Sequence, residues 1–315
     1  MPARHMPNLL SPLTLRNVTL PNRIGLSPMC TFSAVNGHVT AFHRRHYAER
    51  GEGCGIVMLE ATAVEARGVI APSDLGIWSD DHVEGLVDLA RRITAAGAVP
   101  GIQLAHAGRK AGAYPVDDSG TLAMDVIGAF AAAADRAATA GFKVIELHMA
   151  HGYLLSSFLS PIPNQRTDAY GGPTIRDRAR FPINVAASVR GRLHDDMVLW
   201  ARVSAIDPEP GGQTIDDTIA FAAMAKQAGV DLIDCSAGGQ TPRGWLKSKP
   251  GYQVKYAEAV RHRADVPTAA VGVITEATQA DAIIRQGRAD VTLIGRALRD
   301  DPQWAVKASR SLRGV

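Results

Sequence analysis

Cysteine is scarce in this chain. Only Cys30, Cys54 and Cys235 occur in 315 residues, odd in number, far apart and without metal-type spacing. That excludes a disulfide framework and suits a reducing compartment, the cytoplasm. No apolar run reaches the ~18 residues of a membrane span, and the opening MPARHMPNLLSPL lacks an apolar core of signal-peptide length. Charge of one sign is also missing. Lys plus Arg total 34 against 31 Asp plus Glu, a formal net charge of +3 with no basic run, so neither nucleic acid nor membrane is an expected partner. Nor is there a low-complexity linker or composition shift, and residues 1–315 are expected to form one domain. The 46% hydrophobic and 21% charged residues are those of a globular chain long enough to bury a large core without staples.

What is present is an alternation. Short, near-continuous apolar runs of the kind that form parallel strands covered on both faces lie at 23–27, 55–59, 99–104, 143–147, 197–203, 230–235, 268–271 and 290–294. Helical patterns at 82–95, 124–140, 175–190, 216–228, 252–263 and 276–286 lie between them. Several stop at a glycine just before the next strand, at Gly97, Gly141, Gly229 and Gly287, the place for a left-handed C′ residue. Eight strands in such alternation predict a TIM (β/α)₈ barrel, with Leu13–Leu20 as a small hairpin closing its bottom.

In such barrels function gathers where strands end. The eight exits here carry Ser27-Pro28-Met29-Cys30, Glu60-Ala61-Thr62, Gln103 with His106 to Lys110, His148 with His151 and Tyr153, Arg202, Cys235-Ser236, Gly272, and Gly295-Arg296. Polar or reactive groups occupy nearly every one. Glycine after strands seven and eight, with Arg296, suits a phosphate group bound to backbone N–H groups and a guanidinium. His106, His148 and His151 could on paper give a metal-dependent hydrolase three ligands, although an HxxH alone is not a zinc signature.

Longer motifs make the pattern specific. SPMC (27–30), GIWSD (76–80), QLAHAGRK (103–110), ELHMAHGYL (146–154), NQRTDAYGG (164–172) and LIGR (293–296) resemble the Old Yellow Enzyme family over about Leu13 to Trp304, and Cys30 is similar to its thermophilic-like branch. The resemblance implies an FMN-dependent NAD(P)H oxidoreductase that reduces the C=C bond of α,β-unsaturated carbonyl compounds, with NADPH or NADH as hydride donor. It implies that His148 and His151 bind the substrate carbonyl oxygen, where two N–H donors stabilise developing enolate charge. Tyr153 would protonate Cα. Cys30 would border flavin and substrate without acting as a nucleophile. Ser27, Pro28, Met29 and Ala61 would lie along the flavin, Gln103 and Arg202 at its pyrimidine edge, and Gly272, Gly295 and Arg296 at its phosphate. Lys110 and Phe32 would face the substrate, and Arg166, Asp168, Tyr170 and the double glycine would shape the loop after strand four. A small molecule, an activated alkene, is the expected partner, no metal is expected, and a homodimer or homotetramer is compatible with the family.

The chain also departs from that family. Phe32 stands where the branch commonly has tyrosine. The capping segment after Lys110 (Ala111–Thr121) is short, which leaves the flavin more open to water and oxygen and keeps an NAD(P)H oxidase-like alternative in play, beside a barrel that merely binds flavin. Thr174–Arg178 departs from the usual Asn-Arg pattern, and with the sequence closing on Ser311-Leu312-Arg313-Gly314-Val315 the contact that a tail arginine of relatives makes in a neighbour's site is not expected.

Overall fold

All eight apolar runs become strands. In the computed structural model, which describes residues 7–111, 121–242 and 246–314, they are β1 (Ile24–Leu26), β2 (Ile56–Ala63), β3 (Val99–Ala105), β4 (Val144–Met149), β5 (Val198–Ser204), β6 (Leu232–Ser236), β7 (Thr268–Ala270) and β8 (Val291–Ile294). Each is parallel to the next. β8 also pairs with β1, so the sheet closes into a barrel. Among the described residues one longer helix follows each strand: α1 (Ala41–Glu49), α2 (Val83–Ala95), α3 (Thr121–Thr139), α4 (Arg180–Arg190), α5 (Ile215–Gln227), α6 (Val254–Ala264), α7 (Ala277–Arg285) and α8 (Trp304–Arg313). The four glycines expected at helix ends all have positive φ, between 68° and 94°, a conformation other residues enter only with strain.

One detail differs from the sequence expectation. The helix expected over 175–190 is two helices, Ile175–Arg178 and α4, with the junction at Ala179. Pro182 in the first turn of α4 has no N–H to return to the Arg178 carbonyl, so the helical ladder cannot run through. The departing Thr174–Arg178 segment starts the first of them by a capping box between Thr174 and Asp177.

Side chains of a strand alternate between faces, and three central strands use that period to build layers. Stepping up β4 are Val144, Glu146 and His148; up β5, Trp200, Arg202 and Ser204; up β6, Leu232, Asp234 and Ser236. The lowest member of each belongs to an interior apolar cluster with Ile56, Met58, Ala269, Val291 and Leu293. The intervening residues, such as Ile145, Leu147, Leu199, Ala201 and Ile233, face outward into the main core shared with the helices. The hairpin Leu13–Leu15/Val18–Leu20 turns at Arg16, φ 48°, and delivers Leu15, Val18 and Leu20 into the lowest interior layer. It closes the barrel bottom as its position suggested.

Candidate active site

Above the apolar floor the interior turns polar. Gln103 on β3 donates from Nε2 to Glu146 Oε1 at 2.7 Å. Arg202 donates from Nη1 to Ser27 Oγ at 3.3 Å, and its Nε lies 3.2 Å from Asp234 Oδ2. All these side chains are buried. Glu146 and Asp234 were not expected as functional residues. The available signal was a single acid inside an otherwise apolar strand, VIELHM and LIDCS, at the same inward phase as a neighbour at the mouth.

At the mouth, His148 and His151 stand edge to face with ring centroids 5.3 Å apart, and the Tyr153 ring lies 4.9 Å from His148. The loop between them is tightly tied. His151 has φ 62°, a left-handed conformation uncommon outside glycine, and its N–H donates to Ser204 Oγ at 2.9 Å. His148 Nδ1 accepts from Ala150 N at 3.3 Å, which places the ring hydrogen on Nε2. His151 Nε2 meets Ser236 Oγ at 2.6 Å, and that hydroxyl accepts from Gln253 Nε2 at 3.2 Å. Burial, reinforced by the positive charge of Arg202, pushes His151 down to about 3. Burial, then His151 and Arg202, drives His148 well below the usual imidazole range. Both rings are therefore neutral N–H donors at neutral pH. Burial and the neighbouring Cys30 and Asp74 raise the Tyr153 phenol to about 12, so it keeps its proton.

Cys30 is held by a second network. The β2–β3 register slips between Leu59 and Ala61. This bulge puts Ala61 beside Gln103 on the inner face and turns Glu60 out behind the loop that follows β1. Glu60 there accepts from Thr31 N at 2.7 Å, Thr31 Oγ1 at 2.8 Å and Tyr47 Oη at 3.0 Å, with His43 Nε2 at 3.4 Å. The Cys30 thiol is raised to about 12 by burial, then by Asp74 and Glu60, so it is a thiol and not a thiolate nucleophile.

Alongside this cluster opens a cavity of about 480 Å³, within the ~300–1,000 Å³ of cofactor pockets. Buried Ser27, Pro28, Arg202 and Gly272 line it, with Met29, Gly295 and the exposed Arg296. Gly272 has φ 118°, a conformation that a side chain enters only with strain, so glycine keeps that end of the cavity clear. A buried guanidinium, apolar walls and a glycine-arginine group form a donor set that suits FMN, whose phosphate and pyrimidine carry the polar groups. His151 borders this cavity as well, while Ala61 and Tyr153 line a smaller recess with Asp74.

The remaining expected residues are held by contacts of their own. Lys110 Nζ donates to the carbonyls of His151 and Gly239, both at 2.6 Å, and sits 5.5 Å from the Tyr153 ring centre. It braces the mouth loops. Phe32 is 50% exposed with φ 51°. His106 turns away from the histidine pair: its Nε2 meets Glu65 Oε2 at 3.1 Å and its Nδ1 accepts from Gly108 N at 3.0 Å. Asn164 Nδ2, donating to the carbonyls of Phe158 and Tyr170, closes the loop carrying the Arg166–Asp168 ion pair. Most of the shortened capping segment, 112–120, and Val315 lie outside the described residues.

Fold and site together define a flavin-dependent oxidoreductase on a TIM barrel. The chain matches the NADH:flavin oxidoreductase / NADH oxidase family over residues 8–127 and 119–314, and it belongs to that family, the Old Yellow Enzymes. It is 45% identical over 324 residues to an NADPH dehydrogenase of Bacillus cytotoxicus, covering 96% of this chain and 92% of that one. An old yellow enzyme homologue from Zymomonas mobilis superposes with a TM-score of 0.84 at 24% identity, over 98% of this chain and 93% of that one. 2-Naphthoyl-CoA reductase superposes at 0.89 with 24% identity over 98% of this chain, which spans about half (52%) of that longer protein. FMN is the cofactor, and NADPH or NADH the hydride donor.

Proposed function

We propose that the protein is an ene-reductase, reducing the C=C bond of α,β-unsaturated carbonyl compounds at the expense of a nicotinamide cofactor. The observation that carries this reading is the grouping of two neutral imidazoles and a protonated phenol at one mouth, His148, His151 and Tyr153. FMN, when bound, would supply the hydride chemistry that links the nicotinamide to the alkene Cβ. His148 and His151 bind the carbonyl oxygen through N–H donors that strengthen as negative charge develops there. Tyr153 gives its phenolic proton to Cα and regains one from water. Arg202 and Gln103 would hold the flavin pyrimidine edge, Pro28, Met29 and Ala61 its ring, and Gly272, Gly295 and Arg296 its phosphate. Cys30 stays a thiol against the flavin, and nicotinamide and alkene use the same pocket in turn, a ping-pong cycle served by one domain.

The test is anaerobic turnover of 2-cyclohexenone by the FMN-loaded protein with NADPH and then NADH. Saturated ketone formed in step with nicotinamide consumption supports the reading. An alkene left intact while the same protein consumes nicotinamide rapidly in air sinks it in favour of an oxidase.

A further inference from the structure

Glu146 and Asp234 have no part in that scheme, yet they are fully buried on β4 and β6, on either side of the strand that carries Arg202. Glu146 Oε1 accepts from Gln103, but Glu146 Oε2 and both Asp234 oxygens have no hydrogen-bond donor. Arg202 is the cation at this level, and its Nε approaches Asp234 Oδ2 at 3.2 Å. Below lies the apolar floor with Met58, Trp200 and Leu232. Two carboxylates therefore share one guanidinium, with the Gln103 amide on Glu146 Oε1 as the other side-chain donor to them among the described residues. Ionising both would leave a net negative charge in a buried layer that offers one guanidinium against two carboxylates.

We propose that Glu146 and Asp234 hold one proton between them, which keeps the Arg202–Asp234–Glu146 layer neutral, and that this proton sets the charge Arg202 presents to the flavin. The inference rests on the reading that Arg202 faces the flavin. The neighbours agree with it. Burial raises both acids, the Asp234 charge raises Glu146 further, and Arg202 opposes the rise in each. Asp234 lies against the guanidinium, so Glu146 carries the proton for most of the time. Ser27 and Gln103, from β1 and β3, are neutral. His148, next up β4, and His151 are neutral at the mouth, and the Lys110 ammonium is engaged by two carbonyls. Glu146 and Asp234 are thus positioning residues: they touch Arg202 and Gln103, and act on the flavin only through them.

The experiment uses the FMN-loaded protein and three variants, Glu146→Gln, Asp234→Asn and the double. Two quantities are read: the infrared carbonyl band of a protonated buried carboxyl in the oxidised protein, and the flavin midpoint potential against pH. Glu146→Gln keeps an acceptor for Gln103 and so is the variant least disturbing to the fold. The band is expected in the parent and absent from both single variants. At low pH the parent and the single variants share one potential. As pH rises past titration of the pair, the parent alone gains a negative charge. Its potential then drops below theirs by tenfold or more in the two-electron equilibrium, about 30 mV. The double variant leaves Arg202 uncompensated and stands above all of them by a similar margin. A band that survives in Glu146→Gln and in Asp234→Asn overturns the shared proton while leaving the flavin reading intact. A band lost as expected, with potentials that run parallel in all four proteins, overturns the link to the flavin and with it the placement of Arg202.

Discussion

At the scale of single residues, the mouth works by staying uncharged. Two imidazoles that remain neutral can donate to an oxygen without repelling each other or Arg202. Replacing both, His148→Ala/His151→Ala, should lower kcat/KM for 2-cyclohexenone by at least about 10²-fold, as loss of an oxyanion donor does elsewhere, while the flavin absorbance of the desalted protein is retained. A colourless variant would instead assign the pair to cofactor binding. The pH dependence follows from the same burial. With His151 at about 3 and Tyr153 at about 12, alkene reduction should show no break from these groups between about pH 5 and pH 9. Stability is linked in the other direction. An unfolded histidine takes up a proton near pH 6.5, but these two do so only far lower when folded. The unfolded chain thus binds more protons as pH falls through that window, and their contribution to stability falls with it. The urea midpoint of the double variant should drop less between pH 7 and about pH 4 than that of the parent.

At the scale of elements, the strands were legible and parts of their company were not. All eight strands declared themselves as apolar runs because both faces of a barrel strand are covered. α1 did not. Its sequence AFHRRHYAE has no apolar stripe, and its buried residues are His43, His46 and Tyr47, two of which face the polar Glu60 network. α8, WAVKASRSLR, was missed for another reason: it is short, fully buries only Ala305 and Ala308, and rests Trp304 and Leu312 on the core at its half-exposed edge. The bulge at Leu59/Ala61 has no local sequence mark either, so the outward turn of Glu60 and the inward turn of Ala61 required the structure. The motifs named most of the site, but spacing could not say that Lys110 would be spent on carbonyls, that His106 would turn to Glu65, or that two acids would lie beneath Arg202. The Glu60 network is itself testable. Its negative charge helps to hold the Cys30 thiol up, so Glu60→Gln should lower that pKa. Iodoacetamide should then label Cys30 faster at about pH 9 than in the parent. Cys54 and Cys235, both buried, should stay protected in each protein; if they react too, loosening of the fold and not electrostatics is responsible.

For the whole molecule, the hairpin at the bottom matters more than its eight residues suggest. Leu20 is 1% exposed and packs into the lowest interior layer with Met58, Trp200 and Leu293. Leu20→Ala should cost about 2–5 kcal/mol in urea unfolding, the range for a buried leucine whose neighbours cannot close the gap, with little change in flavin absorbance because the mouth lies at the other end. No helix among the described residues is long and apolar enough to cross a membrane, and the packing is that of helices laid on a closed sheet. A barrel stoppered below by Leu15, Val18 and Leu20 opens, among the described residues, at the strand-end mouth. On the proposed ene-reductase reading, traffic through it would be one-way-at-a-time: a spent nicotinamide would have to leave before an alkene came in, and a crowd of either one would block the entrance to the other.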